Sequence, residues 1–317
     1  LVISWLQLYC PSFVEKSKTE DDEDVGAKPD VASPAEETTE SKKGVDEEKD
    51  ELSLSPELSE HILMLVDWLV DPTICFVKKL CNMVVDALDQ TLVQGFLNLL
   101  YCCLETAAKV LKKDEKELNN ECVECLFSFS LIWSVGAVTD AEGRTAVSQF
   151  IRSYLDGPEY LDELKAVKTA LLLRKWEKPK FPKDVDWYKF IKPIPRNGSV
   201  YDYVYVEKEN QWNSWQSTIK PLSLSDNAEF SDIFVPTTIT CQLDYLLTAL
   251  VTHRKPILLV GDTGTGKSAF INRMLTTELP HDKWSGIQLS FSAKTSANMT
   301  QAIVDGKLDK RRKGVYG

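Results

Sequence analysis

Apolar residues recur at helical spacing through the middle of the chain. Ile62, Leu65, Val66 and Leu69 make one stripe, and Ile74, Val77, Leu80 and Cys81 a second. Leu92, Phe96, Leu99 and Leu100 make a third, and Cys122 to Val135 a fourth. Steps of three and four place such residues on one face of an α-helix. Pro72 and the pair Asn119-Asn120 punctuate the stripes. A helical subdomain over 57–155 is expected, with every stripe serving the core.

The pattern changes over 156–235. Pro158, Pro179, Pro182, Pro193, Pro195 and Pro221 are scattered among aromatic residues. Val200 to Val206 alternates at strand period, and Trp212 to Ile219 is its expected hairpin partner. This reads as a connector with a small β element. In the last segment, Leu243, Leu246, Leu247 and Leu250 predict a helix before the short apolar run Pro256 to Val260, which reads as a buried parallel strand. Phe270, Ile271, Met274, Leu275 and Leu279 predict a helix stopped by Pro280. Ile287, Leu289 and Phe291 alternate as a second strand. Thr295 or Ser296 caps a further helix carrying Met299, Ile303, Val304 and Leu308. Lys310-Arg311-Arg312-Lys313 then falls at that helix's C-terminus, where cations suit the dipole and Gly314 can end it.

Between the predicted strand and helix lies Gly261-Asp262-Thr263-Gly264-Thr265-Gly266-Lys267-Ser268, a full match to G-x-x-x-x-G-K-[ST]. Gly261 and Gly266 let the backbone turn tightly and approach a phosphate without a β-carbon in the way. The loop amides and the start of the next helix favour an anion. Lys267 is placed to reach the β- and γ-phosphates, and the Ser268 hydroxyl to ligate Mg²⁺. The bland alternative is a glycine-rich turn with a surface lysine.

Composition adds little to the function but sharpens the layout. The 317 residues carry a net charge of −11. Fourteen Asp/Glu and four Lys between Glu20 and Glu51 account for −10 of it. The stretch 17–56 has almost no large apolar residue, so a disordered acidic insertion is expected there. Residues 1–16, with Trp5, Leu6, Leu8 and Phe13, read as folded. The remainder is nearly neutral, which excludes a nucleic-acid surface; the basic run 310–313 alone does not make one. No apolar span of 18 residues is expected, the longest candidate being Cys125 to Val138, so a soluble intracellular protein is expected. The chain starts at Leu1 without a methionine and stops at Gly317 inside a pattern, so it reads as a fragment. Of eight cysteines, Cys122 and Cys125 have zinc-ligand spacing, but they open an apolar helical stretch and read as packed, reduced thiols.

Taken together, Gly261 to Ser268, Leu289 to Asn298 and Leu308 to Gly317 resemble the third AAA+ module of dynein heavy chains, axonemal (ciliary) forms in particular. Val235-Pro236-Thr237 is similar to the family's lead-in beside the adenine. Val200 to Tyr203 with Trp212 and Trp215 resembles the preceding connector. Phe127 to Gly136 resembles the lid of the second module, and Ser4-Trp5-Leu6 fits that module's large subdomain. The fold so implied is α/β plus α: a truncated P-loop AAA+ domain over 236–317 preceded by a helical lid and a β connector. The resemblance implies ATP or ADP with Mg²⁺ at Val235, Pro236, Thr237 and Gly261 to Ser268. Its implied partners are the other AAA+ modules of the heavy chain and, through the parent protein, intermediate and light chains and microtubules. It implies a cytoplasmic, axonemal location and a regulatory nucleotide site, with neither nucleic acid nor membrane as a partner. Asp262 stands where the family usually has Pro, and Ile239 and Gln242 where Asp and Arg are common. The Walker B acid, the sensor and the arginine finger are expected beyond Gly317, so no catalytic residue is named. A structural ring module with little turnover, or an unrelated P-loop signalling NTPase, are the alternatives.

Overall fold

The computed structural model describes residues 52–114, 116–221 and 235–308, and the backbone alone of 310–312 and 315–316. The acidic insertion expected over 17–56 lies outside these up to Glu51, as do residues 1–16. Its far end is ordered, however: Leu52 and Leu54 are buried in the main core, and a helix begins at Pro56.

Helix α1 (Pro56–Leu80) opens with Ser55, whose side chain accepts from the Leu58 amide, and with Pro56 in the first turn. It runs straight through Pro72, so the first two stripes belong to one helix of 25 residues; the expected break at Pro72 is corrected. Proline there withholds the amide that would bond the Trp68 carbonyl. The Tyr154 hydroxyl donates to that carbonyl instead, at 2.7 Å, and the Trp176 indole N–H donates to the neighbouring Asp67 carbonyl at 2.6 Å.

Helix α2 (Asp89–Lys113) lies beside α3 (Asn120–Ser134), which Asn119 caps by accepting from the Cys122 amide at 2.9 Å. Every residue from Cys122 to Ile132 is buried, so α3 is the central helix. Asn120–Val138 is in fact apolar and long enough, by length and composition, to cross a bilayer, which corrects the expectation that no such span exists; most of it is buried inside this fold. Two of its serines bond back to carbonyls four residues earlier: Ser128 to Glu124 and Ser134 to Ser130. Helices α4 (Ala141–Asp156), α5 (Glu159–Glu163) and α6 (Lys165–Leu173) close the bundle, with Phe76 and Phe150 stacked at 4.2 Å.

The proline-rich connector docks its aromatic residues on α1. Phe181, Trp187, Tyr188 and Phe190 surround Trp68 with centroids 5.3 to 5.8 Å away, all edge-on. Strand β1 (Tyr203–Val206) pairs antiparallel with β2 (Gln211–Ser214), Val204 opposite Asn213. The return strand stops at Ser214, earlier than expected. Ser214 caps a short helix, α7 (Trp215–Thr218), that buries Trp215.

Helix α8 (Thr238–Thr252) joins two cores. Cys241, Tyr245, Leu246 and Leu250 face the bundle, while Leu243, Leu247 and Val251 face a small second cluster with Phe270, Met274 and Leu279. Helix α9 (Lys267–Arg273) continues as a π-turn over Met274–Glu278 and ends before Pro280. Neither predicted strand of this segment forms. Residues 255–262 and 284–292 are extended but belong to no ladder among the described residues. The reason is visible in their sides. Ile257 and Leu259 face the second cluster, while Leu258 and Val260 are 76% and 52% exposed. A parallel sheet needs both faces covered, and here helices cover one. Helix α10 (Ala297–Asp305) is capped by Ser296 but stops at Gly306, before Leu308. The basic run is therefore not its last turn: β3 (Lys310–Arg312) pairs antiparallel with β4 (Val315–Tyr316).

Candidate functional site

The loop from Gly261 to Ser268 is exposed, apart from half-buried Lys267. Gly264 and Gly266 both hold φ at +82°, the left-handed region that glycine enters without steric cost. Gly266 is the N-cap of α9, and no side chain caps it. The first amides of that helix are thus left for a ligand, as an anion site requires. A β-carbon on Gly261 would sit 3.6 Å from Thr265 Oγ1 and 3.9 Å from the Lys267 chain, ordinary contacts with two side chains of the loop.

Lys267 folds back over the loop. Its Nζ donates to the Gly261 carbonyl at 2.7 Å, to Thr265 Oγ1 at 2.9 Å and to the Asp262 carbonyl. Thr265 Oγ1 also donates to the Asp262 carbonyl at 2.9 Å. The ammonium therefore closes the loop into a ring of oxygen acceptors. Ser268, one residue into the helix, is exposed. These donors and this hydroxyl suit a phosphate and a hard divalent cation, which takes oxygen ligands. Phe270, two residues beyond Ser268, anchors the helix in the second cluster, so the loop is held at its downstream end.

The helix that follows the loop is also tied to α8. Arg273 Nη2 lies 2.6 Å from Asp244 and 3.0 Å from Glu278, tying α9 to α8. Asp244 stays raised by burial even so, with Arg273 pulling the other way. Val235 is exposed, Pro236 half-buried, and the Thr237 hydroxyl is used in a reciprocal cap with Thr240. Thr237 thus fixes the start of α8. Gln242 donates to the Tyr201 carbonyl at 3.1 Å, and Ile239 is exposed.

The cysteines sit elsewhere. Cys75, Cys102, Cys103, Cys122 and Cys125 are free and buried, and Cys10 lies outside the described residues. Burial pushes the thiols of Cys102, Cys103 and Cys122 up to about 12. Cys122 and Cys125 are packed within α3.

Sequence reasoning missed the residues that grip the loop's root. Tyr101 and Glu105 on α2 contact His253 and Lys255, just after α8. They belong to no motif, and their helical spacing reads only as surface.

Two family models match the chain. One, described as the dynein heavy chain AAA lid domain, matches residues 62–217; the other, the P-loop containing dynein motor region, matches 222–317. Dynein axonemal heavy chain 12 of Rattus norvegicus is 34% identical over 262 residues, covering 80% of this chain and 8% of that protein. Dynein axonemal heavy chain 1 of Mus musculus is 35% identical over 256 residues, covering 78% of this chain and 6% of the relative. For dynein axonemal heavy chain 3 of Homo sapiens the values are 31% over 276 residues, 84% and 6%. The chain thus spans less than a tenth of the length of these relatives. The lid lies before the phosphate loop in sequence, and both are matched by models of one family. The chain belongs to the dynein heavy chains of the axonemal type.

Proposed function

We propose that the chain supplies a Mg-ATP or Mg-ADP binding loop to the AAA+ ring of an axonemal microtubule motor, at the regulatory site of the third module. The observation that carries this is the complete, exposed loop motif, with Gly264 and Gly266 left-handed inside it and Gly266 the uncapped start of α9. Lys267 contributes a mobile positive charge for the β- and γ-phosphates, Ser268 an oxygen for the metal, and the loop amides the cradle. When bound, the nucleotide would supply the negative charge that draws Lys267 off the carbonyls of Gly261 and Asp262. Val235, Pro236 and Thr237 would border the base. The site binds and reports nucleotide; the residues that carry hydrolysis are not among those named. Through the parent heavy chain the partners are the neighbouring modules, associated chains and the microtubule, and the location is the cilium.

A second reading is a mechanical ring part with weak nucleotide affinity. It is favoured by the lysine's engagement with its own loop and by the acidic Asp262 beside it. Titration of the purified chain with Mg-ATP, against Lys267→Ala, separates the two. Losing a charge-assisted contact worth roughly 1.5–3 kcal/mol should weaken binding by about tenfold or more. Equal affinity in the two proteins sinks the first reading and leaves the second.

A further inference from the structure

Helix α8 ends in a Schellman turn that lacks the usual glycine. The Arg254 amide donates to the Val251 carbonyl at 2.8 Å and the Lys255 amide to the Leu250 carbonyl at 2.9 Å. Arg254 occupies the left-handed position at φ +56°, where a β-carbon is unfavourable. Lys175 holds the same position after α6 at φ +55°, so the turn tolerates a side chain; here contacts outside the turn add to it. Both residues flanking Arg254 touch α2. His253 Nε2 lies 3.2 Å from Glu105 Oε2, with both side chains nearly buried, and His253 Nδ1 lies 2.5 Å from the Ala249 carbonyl. Each ring nitrogen faces an oxygen, so the ring is pinned from both sides. The Lys255 ammonium stands 4.6 Å from the centre of the Tyr101 ring, and the same ring meets His253 edge-on at 5.9 Å. Tyr101, Glu105 and Lys109 follow at steps of four on α2, and Lys109 pairs with Glu105.

After Lys255 the chain runs into Gly261 in no ladder among the described residues. Among those residues its path is set by this turn and by Ile257 and Leu259, which pack on the second cluster. We propose that Glu105 and Tyr101 of the lid are positioning residues for the phosphate loop, acting through the His253–Lys255 turn. They couple the lid to the nucleotide affinity of the loop that follows. This rests on the nucleotide reading above. The lid and the loop are thus linked by two physical routes: the apolar faces of α8 and this polar clamp. The clamp is the one that changes can reach without emptying the core.

The test compares the purified chain with Glu105→Gln, His253→Gln and the double variant, by Mg-ATP titration and by amide hydrogen exchange. Glu105→Gln should speed exchange at the Arg254 and Lys255 amides, which the turn's hydrogen bonds protect, and weaken Mg-ATP binding by about fivefold or more, the scale of ordinary site coupling. Exchange in α3 should stay as it was, since a residue that merely supports the bundle would loosen that helix as well. The double variant should match the single ones, because both remove one contact. Glu105→Asp, which keeps the charge, should recover part of the affinity. Unchanged exchange at the Arg254 and Lys255 amides in Glu105→Gln overturns the proposal, as does a general rise that includes α3. Failure of the parent chain to bind Mg-ATP rejects the nucleotide reading and the affinity coupling built on it, while the exchange result still decides whether the clamp orders the loop's root.

Discussion

The Tyr154 hydroxyl donates to the Trp68 carbonyl at 2.7 Å, in the place of an amide that Pro72 cannot provide. Both residues are fully buried, so no water can substitute. The proline and the tyrosine, 82 positions apart, are thus one device. Burial also raises the tyrosine far above its ordinary range and keeps it a donor.

Tyr154→Phe should therefore cost roughly 1–3 kcal/mol, the penalty of a buried unpaired group. In a Pro72→Ala background the restored amide can take the carbonyl, and the same change should cost roughly 1 kcal/mol less. Chemical denaturation of the four proteins measures this. Equal costs in the two backgrounds would show that the hydroxyl and the proline are independent.

Glu124 is a buried carboxylate with three partners. Its Oε1 accepts from the Tyr188 hydroxyl at 2.5 Å and lies 3.2 Å from His61 Nε2; its Oε2 accepts from the Ile191 amide at 2.9 Å. It fastens the connector to the central helix. Glu124→Leu strands two donors and should cost roughly 2–6 kcal/mol, about 1–3 for each buried unpaired donor. Glu124→Gln keeps one acceptor and should cost less. Hydrogen exchange at Ile191 locates the effect; protection there in Glu124→Leu would place the fastening elsewhere.

Two loop glycines should fail differently. Gly266→Ala forces a β-carbon into φ +82°, which should destabilise the second cluster by about 1 kcal/mol. Gly261→Ala meets only ordinary contacts, so unfolding should shift by less than about 0.5 kcal/mol. Its Mg-ATP binding should nevertheless fall, because the added carbon blocks close approach of backbone to phosphate. Retained affinity in Gly261→Ala would mean that the loop does not wrap a phosphate.

The helices were legible because their stripes have a period that survives any tertiary setting. Ser296 stands at a cap that its side chain predicts; Asn119, read only as punctuation, caps α3. Pro72 misled because the remedy, Tyr154, lies far away in sequence. The strands at 256–260 and 287–291 misled for a different reason: an apolar alternation states what a segment could pair with, and a ladder needs a partner. The loop could be read as candidate chemistry because its glycines, lysine and serine match a fixed spacing. The grip of Glu105 on His253 could not be read, since a lone helical Glu reads as solvent-facing while this one is buried. The acidic stretch shows the limit of composition: Leu52 and Leu54 look like its tail, yet they are part of the core.

The last prediction concerns acid. Asp89, at the start of α2, pairs with Lys78 at 2.7 Å on α1 and with Arg174 at 2.5 Å beyond α6. Burial alone would raise its carboxyl, but the hydrogen bond from Lys78 and the charges of Arg174 and Lys78 outweigh it, and it stays below the usual carboxylate range. A depressed acid stabilises the fold above its unfolded value, about pH 4, and loses that contribution as pH falls through its lower folded value. Asp89→Asn should therefore lower Tm at pH 7, and the difference should shrink as pH falls below about 4. The contribution is modest because the side chain is 41% exposed and salt screens it. Asp67, raised by burial and by neighbouring Asp71, works in the opposite direction and is common to both proteins, so it cancels in the comparison. Thermal unfolding of the pair from pH 7 to pH 2.5 at low and high salt tests the point. A Tm gap that survives acid unchanged would assign the role of Asp89 to packing and not to charge.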